Sequence, residues 1–307
     1  MDYKKIIRSR KMRLKILELL SFIPDKAMIS FQYKLKTGRK LDLETPTRYT
    51  EKLQWYKLYY RDEIMIKCVD KFDVREYVIN KGLEDILLPC YGVFDNVKDI
   101  NWSSLPDQFV VKDTLGGGGT SVKVITDKET EDLDALSVVV DKWTQLNGHI
   151  KSGGREWPYY SGKNHRIIIE KFLNSNPDDG GLIDYKFLCF NGKAELLYVL
   201  ADRVTGKGAG CGFFDLDFNQ LDISESDEPP LKRKIKKPDN YKKMIQVAET
   251  LAADFPCARI DLYNQNGKIT FGEITFFDSS GYMIFDPDII DFELGEKFVL
   301  PPKNKKL

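Results

Sequence analysis

Between Ala258 and Phe277 the chain reads as two strands turned by Asn-Gly, and this hairpin constrains the fold more than any other segment. Strand alternation points Arg259, Asp261 and Tyr263 to one face, with Glu273 and Thr275 on the partner strand. A three-residue loop, Asn266 to Lys268, would pair residue 265 with 269 and therefore Asp261 with Glu273. Their β-carbons would then lie roughly 5 Å apart. Two carboxylates so close repel, which raises one pKa unless a cation separates them. Two readings stay open here: a divalent-metal site of the kind that phosphate oxygens complete, and a structural salt bridge to Arg259.

A second constraint lies upstream. Phe109, Val110 and Val111 form a β-branched and aromatic run ending at Lys112; Gly116, Gly117, Gly118, Gly119, Thr120 and Ser121 follow, then a second run from Val122 to Ile125. A loop without β-carbons lets backbone N–H groups approach phosphate oxygens, although a flexible hairpin tip would read the same way. No Gly-Lys-Ser/Thr closes the loop and the lysine precedes the glycines, so it is not a Walker A loop.

Elsewhere the periodicity is mixed. Met12, Ile16, Leu19, Leu20 and Ile23 recur at helical spacing before Pro24, predicting an amphipathic helix. Further helices are predicted from Thr47 to Tyr59, from Asp70 to Lys81 with Gly82 as stop, and from Asp132 to Leu146. Met244, Ala248, Leu251, Ala252 and Phe255 trace one more, stopped by Pro256. Strands are predicted at Arg166 to Phe172, Tyr185 to Phe190 and Ala194 to Ala201, the last two joined by the Asn191-Gly192 turn.

Charge and composition exclude several classes. Lys plus Arg total 47 and Asp plus Glu total 47, so no global excess marks a nucleic-acid binder, and no nucleic-acid partner is expected. Residues 1–40, however, carry twelve Lys/Arg against three acids. This arm is expected to pack on the body or to touch an anionic inner membrane face peripherally. Lys15 and Glu18 interrupt the apolar stretch from Leu14 to Ile23, so neither a signal peptide nor a membrane span is expected, and the protein is expected in the cytoplasm. Cys68, Cys90, Cys189, Cys211 and Cys257 show no C-x-x-C spacing and read as reduced, mostly buried thiols. With His149 and His165 as the two histidines, histidine triads and multi-histidine metal sites are disfavoured.

Six segments together carry a likeness: TRYTEKLQWYKLYY (Thr47 to Tyr60), DKFDVREY (Asp70 to Tyr77), Phe109 to Ser121, REWP (Arg155 to Pro158), DYKFLCF (Asp184 to Phe190) and FGEITF (Phe271 to Phe276). On these the chain resembles the TupA-like ATP-grasp family, linked to teichuronopeptide and other surface-polysaccharide biosynthesis, from Pro46 onward. The resemblance implies an α+β ATP-grasp fold in which two α+β subdomains clasp ATP, with a helical N-terminal extension. Its implied divisions are a basic helical region over 1–65, a lid subdomain with the glycine loop over 66–173, and a subdomain with the metal-binding hairpin over 174–307.

The same resemblance implies ATP and Mg2+ as cofactors. Lys71 and Lys112 would grip the phosphates beneath a lid formed by Gly116 to Ser121. Glu170, with Lys171, Phe172 and Leu173, would meet adenine, and Asp184 the ribose, while Lys186, Asp202 and Arg203 would face the same cleft. In the D-alanine ligase branch the last strands read Arg-x-Asp and Glu-x-Asn. Arg259, Asp261 and Glu273 match, while Thr275 stands in the asparagine position, where a hydroxyl is a weaker magnesium ligand than an amide oxygen.

The activity implied is ADP-forming ligation of a carboxylate to an amine through an acyl phosphate. The carboxylate would be a uronic acid or another small-molecule or glycan-linked group of capsular polysaccharide, and Arg259 and Lys112 would be catalytic. Such a reaction brings two anions together, and each like-charge pair at 4 Å costs about 4 kcal/mol at an effective dielectric of 20, so several cations are needed. Two other readings stand beside it: a glycosyltransferase using Asp215 and Asp217 as a metal-binding D-x-D, and a non-catalytic ATP-binding scaffold.

Overall fold

The computed structural model describes residues 9–117, 119, 121–151, 153–174, 181–202, 209–226 and 228–304. The chain forms two compact units, one from 1–62, 151–157 and 175–307, the other from 63–150 and 158–174. The N-terminal helices therefore share a unit with the terminal hairpin.

The smaller unit is built on a four-stranded antiparallel sheet of β1 (Cys90–Phe94), β2 (Phe109–Asp113), β3 (Val122–Ile125) and β4 (Ile167–Lys171), in the order β1-β4-β2-β3. Phe109, Val111, Ile125, Ile167 and Ile169 form its core with Leu136, Val140 and Trp143 of the helix Leu133–Thr144, whose first turn Asp132 caps at Ala135 N (2.9 Å). Alternation leaves Val110, Lys112, Ile168 and Glu170 on the opposite face. The helix expected over 70–81 begins at Val74, because the Asp70 carboxylate accepts from Phe72 N and Asp73 N (both 2.9 Å) and makes a turn instead. A separate helix, Glu63–Val69, precedes that turn.

The larger unit holds a five-stranded antiparallel sheet of β5 (Asp184–Phe190), β6 (Lys193–Ala201), β7 (Gly210–Phe214), β9 (Cys257–Gln265) and β10 (Lys268–Thr275), in the order β10-β9-β5-β6-β7. A two-stranded ladder pairs β8 (Ser224–Glu225) with β11 (Phe285–Asp286). Asn191 and Gly192 (φ 50° and 77°) turn β5 into β6. Asn266 and Gly267 (φ 51° and 81°) turn β9 into β10, so the terminal loop has two residues and Gln265 pairs with Lys268. The expected 265–269 pairing is thus wrong. A bulge at Gly272 then inserts one residue and restores Asp261 opposite Glu273. A β-carbon on Gly272 would sit 2.9 Å from the Asp261 carbonyl oxygen, which explains the glycine.

The helix Tyr241–Ala252 covers one face of this sheet, with Tyr241 stacked on Phe187 (6.1 Å between centroids). Part of the other face is covered by the helix Tyr49–Tyr59: Tyr49 meets Phe190 at 5.4 Å and Tyr56 meets Phe277 at 5.7 Å, while Phe298 stacks on Phe190 at 5.6 Å. The N-terminal helices Arg10–Leu19 and Asp25–Thr37 meet at a corner held by buried Arg155, which donates to Leu20 O (2.8 Å), Ser21 O (3.1 Å) and Asp25 Oδ1 (3.0 Å). Leu19 and Phe22 at that corner stay exposed. Among the described residues no helix is long and apolar enough to cross a membrane.

Lys57 lies inside this packing with 1% of its surface exposed. Burial pushes its pKa down to about 7, with Glu156 opposing and Lys36 adding to the shift. The unfolded lysine titrates near 10.5, so between about pH 7 and 10.5 the unfolded chain holds more protons and this group makes stability rise with pH. The cost of the buried charge is full below pH 7 and is relieved above it. Lys57→Met should remove that slope: by scanning fluorimetry, the Tm of wild type relative to the variant should rise from pH 7 to pH 9, and a pH-independent difference would contradict the assignment.

Candidate active site

In the larger unit, strand register gathers one polar cluster. β9 sets Arg259 opposite Thr275 and Asp261 opposite Glu273, and β5 brings Lys186 beside Asp261 and Asp184 beside Tyr263. Arg259 donates Nε to Asp261 Oδ1 (2.6 Å) and Nη2 to Asp261 Oδ2 (2.7 Å), Glu273 Oε1 (2.7 Å) and Thr275 Oγ1 (3.0 Å). Its Nη1 reaches Tyr198 OH (3.1 Å) and Asp278, to which Tyr198 also donates at 3.0 Å. Lys186 donates to Asp261 and lies 3.6 Å from Asp184.

Burial works against the charge on Arg259, yet Asp261, Tyr198, Asp278 and Glu273 outweigh it and hold the guanidinium firmly protonated. Burial also pushes Asp261 above the usual carboxylate range, against the pull of Arg259 and Lys186, with Glu273 adding repulsion. The salt-bridge reading of the hairpin is therefore realised, since Arg259 spans both carboxylates.

A divalent cation also fits the chemistry of the donor set. Asp184, Asp261, Glu273 and Asp278 gather there with Lys186 and Arg259, so carboxylates supply the oxygen ligands that a hard cation prefers. The Glu273 side chain is 46% exposed where that of Asp261 is 3% exposed, so Glu273 is the open member of the pair. Among the described residues no three His, Cys, Asp or Glu side chains gather as a metal cage. An ion on Asp261 and Glu273 would complete its shell with phosphate oxygens and water, which is how magnesium is ordinarily held at nucleotides.

The smaller unit holds Lys71 and Lys112. Lys112 donates to Glu170 Oε2 (2.9 Å), whose other oxygen accepts from Arg75 (3.3 Å). Lys71 donates through Nζ to Gly116 O, and its backbone N–H bonds Thr114 O at 2.9 Å. The loop is braced at its root: Asp113 accepts from Leu115 N (3.0 Å) and lies 2.9 Å from His165 Nδ1, while a β-carbon on Gly116 would sit 2.8 Å from that of Ser121. Gly117 and Gly119 have open space where a β-carbon would go, and Gly119 adopts φ 68°. Gly118 and Thr120 lie outside the described residues, as does Arg203.

The other expected site residues fall as follows. Lys171 is the last residue of β4, with Phe172 and Leu173 following it, and Lys171 N–H bonds Pro89 O at 2.9 Å. Asp184 sits in the carboxylate cluster, and Asp202 pairs with Arg233 (2.9 Å). Asp215 caps the turn after β7, its Oδ1 accepting from Asp217 N (3.0 Å) and Asn219 N (2.7 Å).

Sequence reasoning missed Tyr198, Asp278, Arg75 and Asp113. Tyr198 could have been found, since it sits on a strand next to Lys186 in a predicted hairpin. Asp278 follows β10 in a turn whose course has no local signature.

Asp278 is 1% exposed and anchors both Arg259 and Tyr198. Asp278→Ala should cost about 3–5 kcal/mol in urea denaturation, because it strips a buried charge network of one partner. Glu273→Gln should cost under about 1 kcal/mol, as for exposed ion pairs. Equal losses would contradict this ranking.

A sequence model of the family described as TupA-like ATPgrasp matches residues 51–299. No curated protein sequence matches. Solved structures with a similar fold include D-alanine–D-alanine ligase from Bacillus anthracis, 17% identical over 68% of this chain and 57% of that one, with a TM-score of 0.43. The corresponding ligase from Helicobacter pylori is 13% identical over 83% of this chain and 68% of that one (TM-score 0.46). An ADP complex of N5-carboxyaminoimidazole ribonucleotide synthetase is 13% identical over 69% and 46% (TM-score 0.39). The chain spans a little over half the length of the Bacillus ligase.

Proposed function

The chain belongs to the TupA-like ATP-grasp family, and we propose that it is an ATP-dependent, ADP-forming ligase that joins a carboxylate to an amine. The observation that carries the reading is the hairpin cluster, in which Asp261 and Glu273 oppose each other around Arg259.

In this reading Lys71 and Lys112 bind the ATP phosphates, and the backbone N–H groups of Gly116 to Ser121 close over them. Glu170 and Lys171 to Leu173 receive adenine. Asp261 and Glu273, with Thr275 beside them, would hold magnesium, which neutralises phosphate charge when bound. The cations have a definite task, because a substrate carboxylate must approach the γ-phosphate against like charge. The carboxylate oxygen attacks γ-phosphorus and ADP leaves; the amine then attacks the acyl carbon, and Arg259 stabilises the oxyanion before phosphate departs.

The substrates proposed are a uronic acid or another carboxylate of a surface polysaccharide, and an amino acid or amino alcohol. The same proposal places the protein in the cytoplasm, with the basic N-terminal helix against the inner membrane face.

ADP release screened over uronic acids paired with amino acids tests it. A productive pair should need both substrates, and Glu273→Gln should lower the rate by at least about a hundredfold while leaving the protein folded. Turnover of a UDP-sugar without ATP would overturn the ligase reading in favour of a glycosyltransferase, and nucleotide binding without turnover on any pair would leave a scaffold.

A further inference from the structure

Three non-glycine residues of the larger unit hold the left-handed backbone region at one place: Arg155 (φ 56°), Ser279 (φ 46°) and Ser280 (φ 54°). Such residues cost on the order of 1–3 kcal/mol each and persist only where their surroundings over-determine them. Here the surroundings are polar and buried. Lys57 Nζ donates to Gly154 O (2.8 Å), Ser280 O (2.9 Å) and Gln54 Oε1 (3.0 Å). Gln54 Nε2 donates to Ser280 O (3.0 Å) and Gly281 O (2.7 Å), and Ser280 Oγ donates to Glu156.

The packing leaves no slack. A β-carbon on Gly281 would lie 2.5 Å from Gln54 Nε2, and one on Gly154 would lie 2.5 Å from Ser280 Oγ. An ordinary core would fill the Lys57 position with an apolar side chain. A buried ammonium whose hydrogen bonds among the described residues go to three neutral oxygens, with the Glu156 carboxylate acting on it only through space, is costly, so its presence asks for a reason beyond packing. The strained turn begins at Asp278, whose carboxylate is the anchor of Arg259 Nη1 and Tyr198.

We infer that Lys57 is a positioning residue: it holds the 278–281 turn in its left-handed course, and through Asp278 it fixes the Arg259 guanidinium against Asp261 and Glu273. The N-terminal helix Tyr49–Tyr59 is then part of the site's scaffold. The chain of contacts is short: lysine to the Ser280 carbonyl, the turn to Asp278, Asp278 to the arginine.

The test compares wild type, Lys57→Met and Lys57→Ala by hydrogen–deuterium exchange and by steady-state kinetics. Exchange should rise in a peptide covering 276–284 in both folded variants, with the rest of the sheet unchanged. Methylammonium, which can occupy the space left in Lys57→Ala, should slow it again. The kinetic half rests on the ligase reading and uses the pair found in the ADP-release screen: kcat should fall at least about tenfold with KM for ATP within about twofold, as for a misplaced catalytic group.

Folded variants whose 276–284 segment exchanges as in wild type would overturn the inference, as would a uniform rise across the unit with no rescue by amine. If neither variant folds alone, recovery of folded Lys57→Ala by methylammonium supports the inference and failure to recover overturns it. A wild type that releases no ADP with any pair defeats the proposed function, while the exchange comparison still decides the role of Lys57.

Discussion

The Arg259 guanidinium is the group around which the polar half of the larger unit is arranged. A buried cation is tolerated only where its donors are taken up, and here Asp261, Glu273, Asp278, Tyr198 and Thr275 take them up. The register that allows this is set by backbone features of the hairpin. The Asn266-Gly267 turn fixes the start of the ladder, and the Gly272 bulge shifts it by one residue. Without the bulge, Glu273 would slip out of line with Asp261, and the side chains beyond would change faces.

The larger unit gathers Asp184, Asp261, Glu273 and Asp278, with Glu273 half-exposed, and in the smaller unit Lys71 and Lys112 sit beside a loop whose glycines lack β-carbons. Each lysine is already engaged, Lys71 by a loop carbonyl and Lys112 by Glu170. These contacts keep both ammonium groups at the root of the loop, and a phosphate there would compete with neutral or singly charged partners. Glu170 is itself held by Arg75, so its place does not depend on Lys112.

Elements with strong periodicity were legible from the residues alone. Val122–Ile125 and the strands around Asn191-Gly192 fall where alternation puts them, and the family likeness named the fold. Other elements carry little signal. β7 reads Gly-Cys-Gly-Phe-Phe, poor in strand formers, because a β-carbon on Gly212 would collide with Leu231 (2.3 Å). β1 is likewise short and bulged, with Gly92 lying under the Phe94 ring. The hairpin pairing of Asp261 with Glu273 was expected from a three-residue loop and arises from a two-residue loop plus a bulge, two local choices with the same sum. Asp278 and Lys57 make their contacts between segments distant in sequence, so no local pattern could announce them, whereas Tyr198 lies beside Lys186 in a hairpin the sequence does announce.

The proposed function requires Asp261 and Glu273 to hold magnesium with a nucleotide, and Lys112 to bind the phosphates of that nucleotide. Calorimetric titration of wild type with the non-hydrolysable analogue AMPPNP, with Mg2+ and with EDTA in its place, tests it most directly. The account predicts saturable binding that requires Mg2+ and is lost in Lys112→Ala. Absence of binding, or binding of equal strength in EDTA, would contradict it.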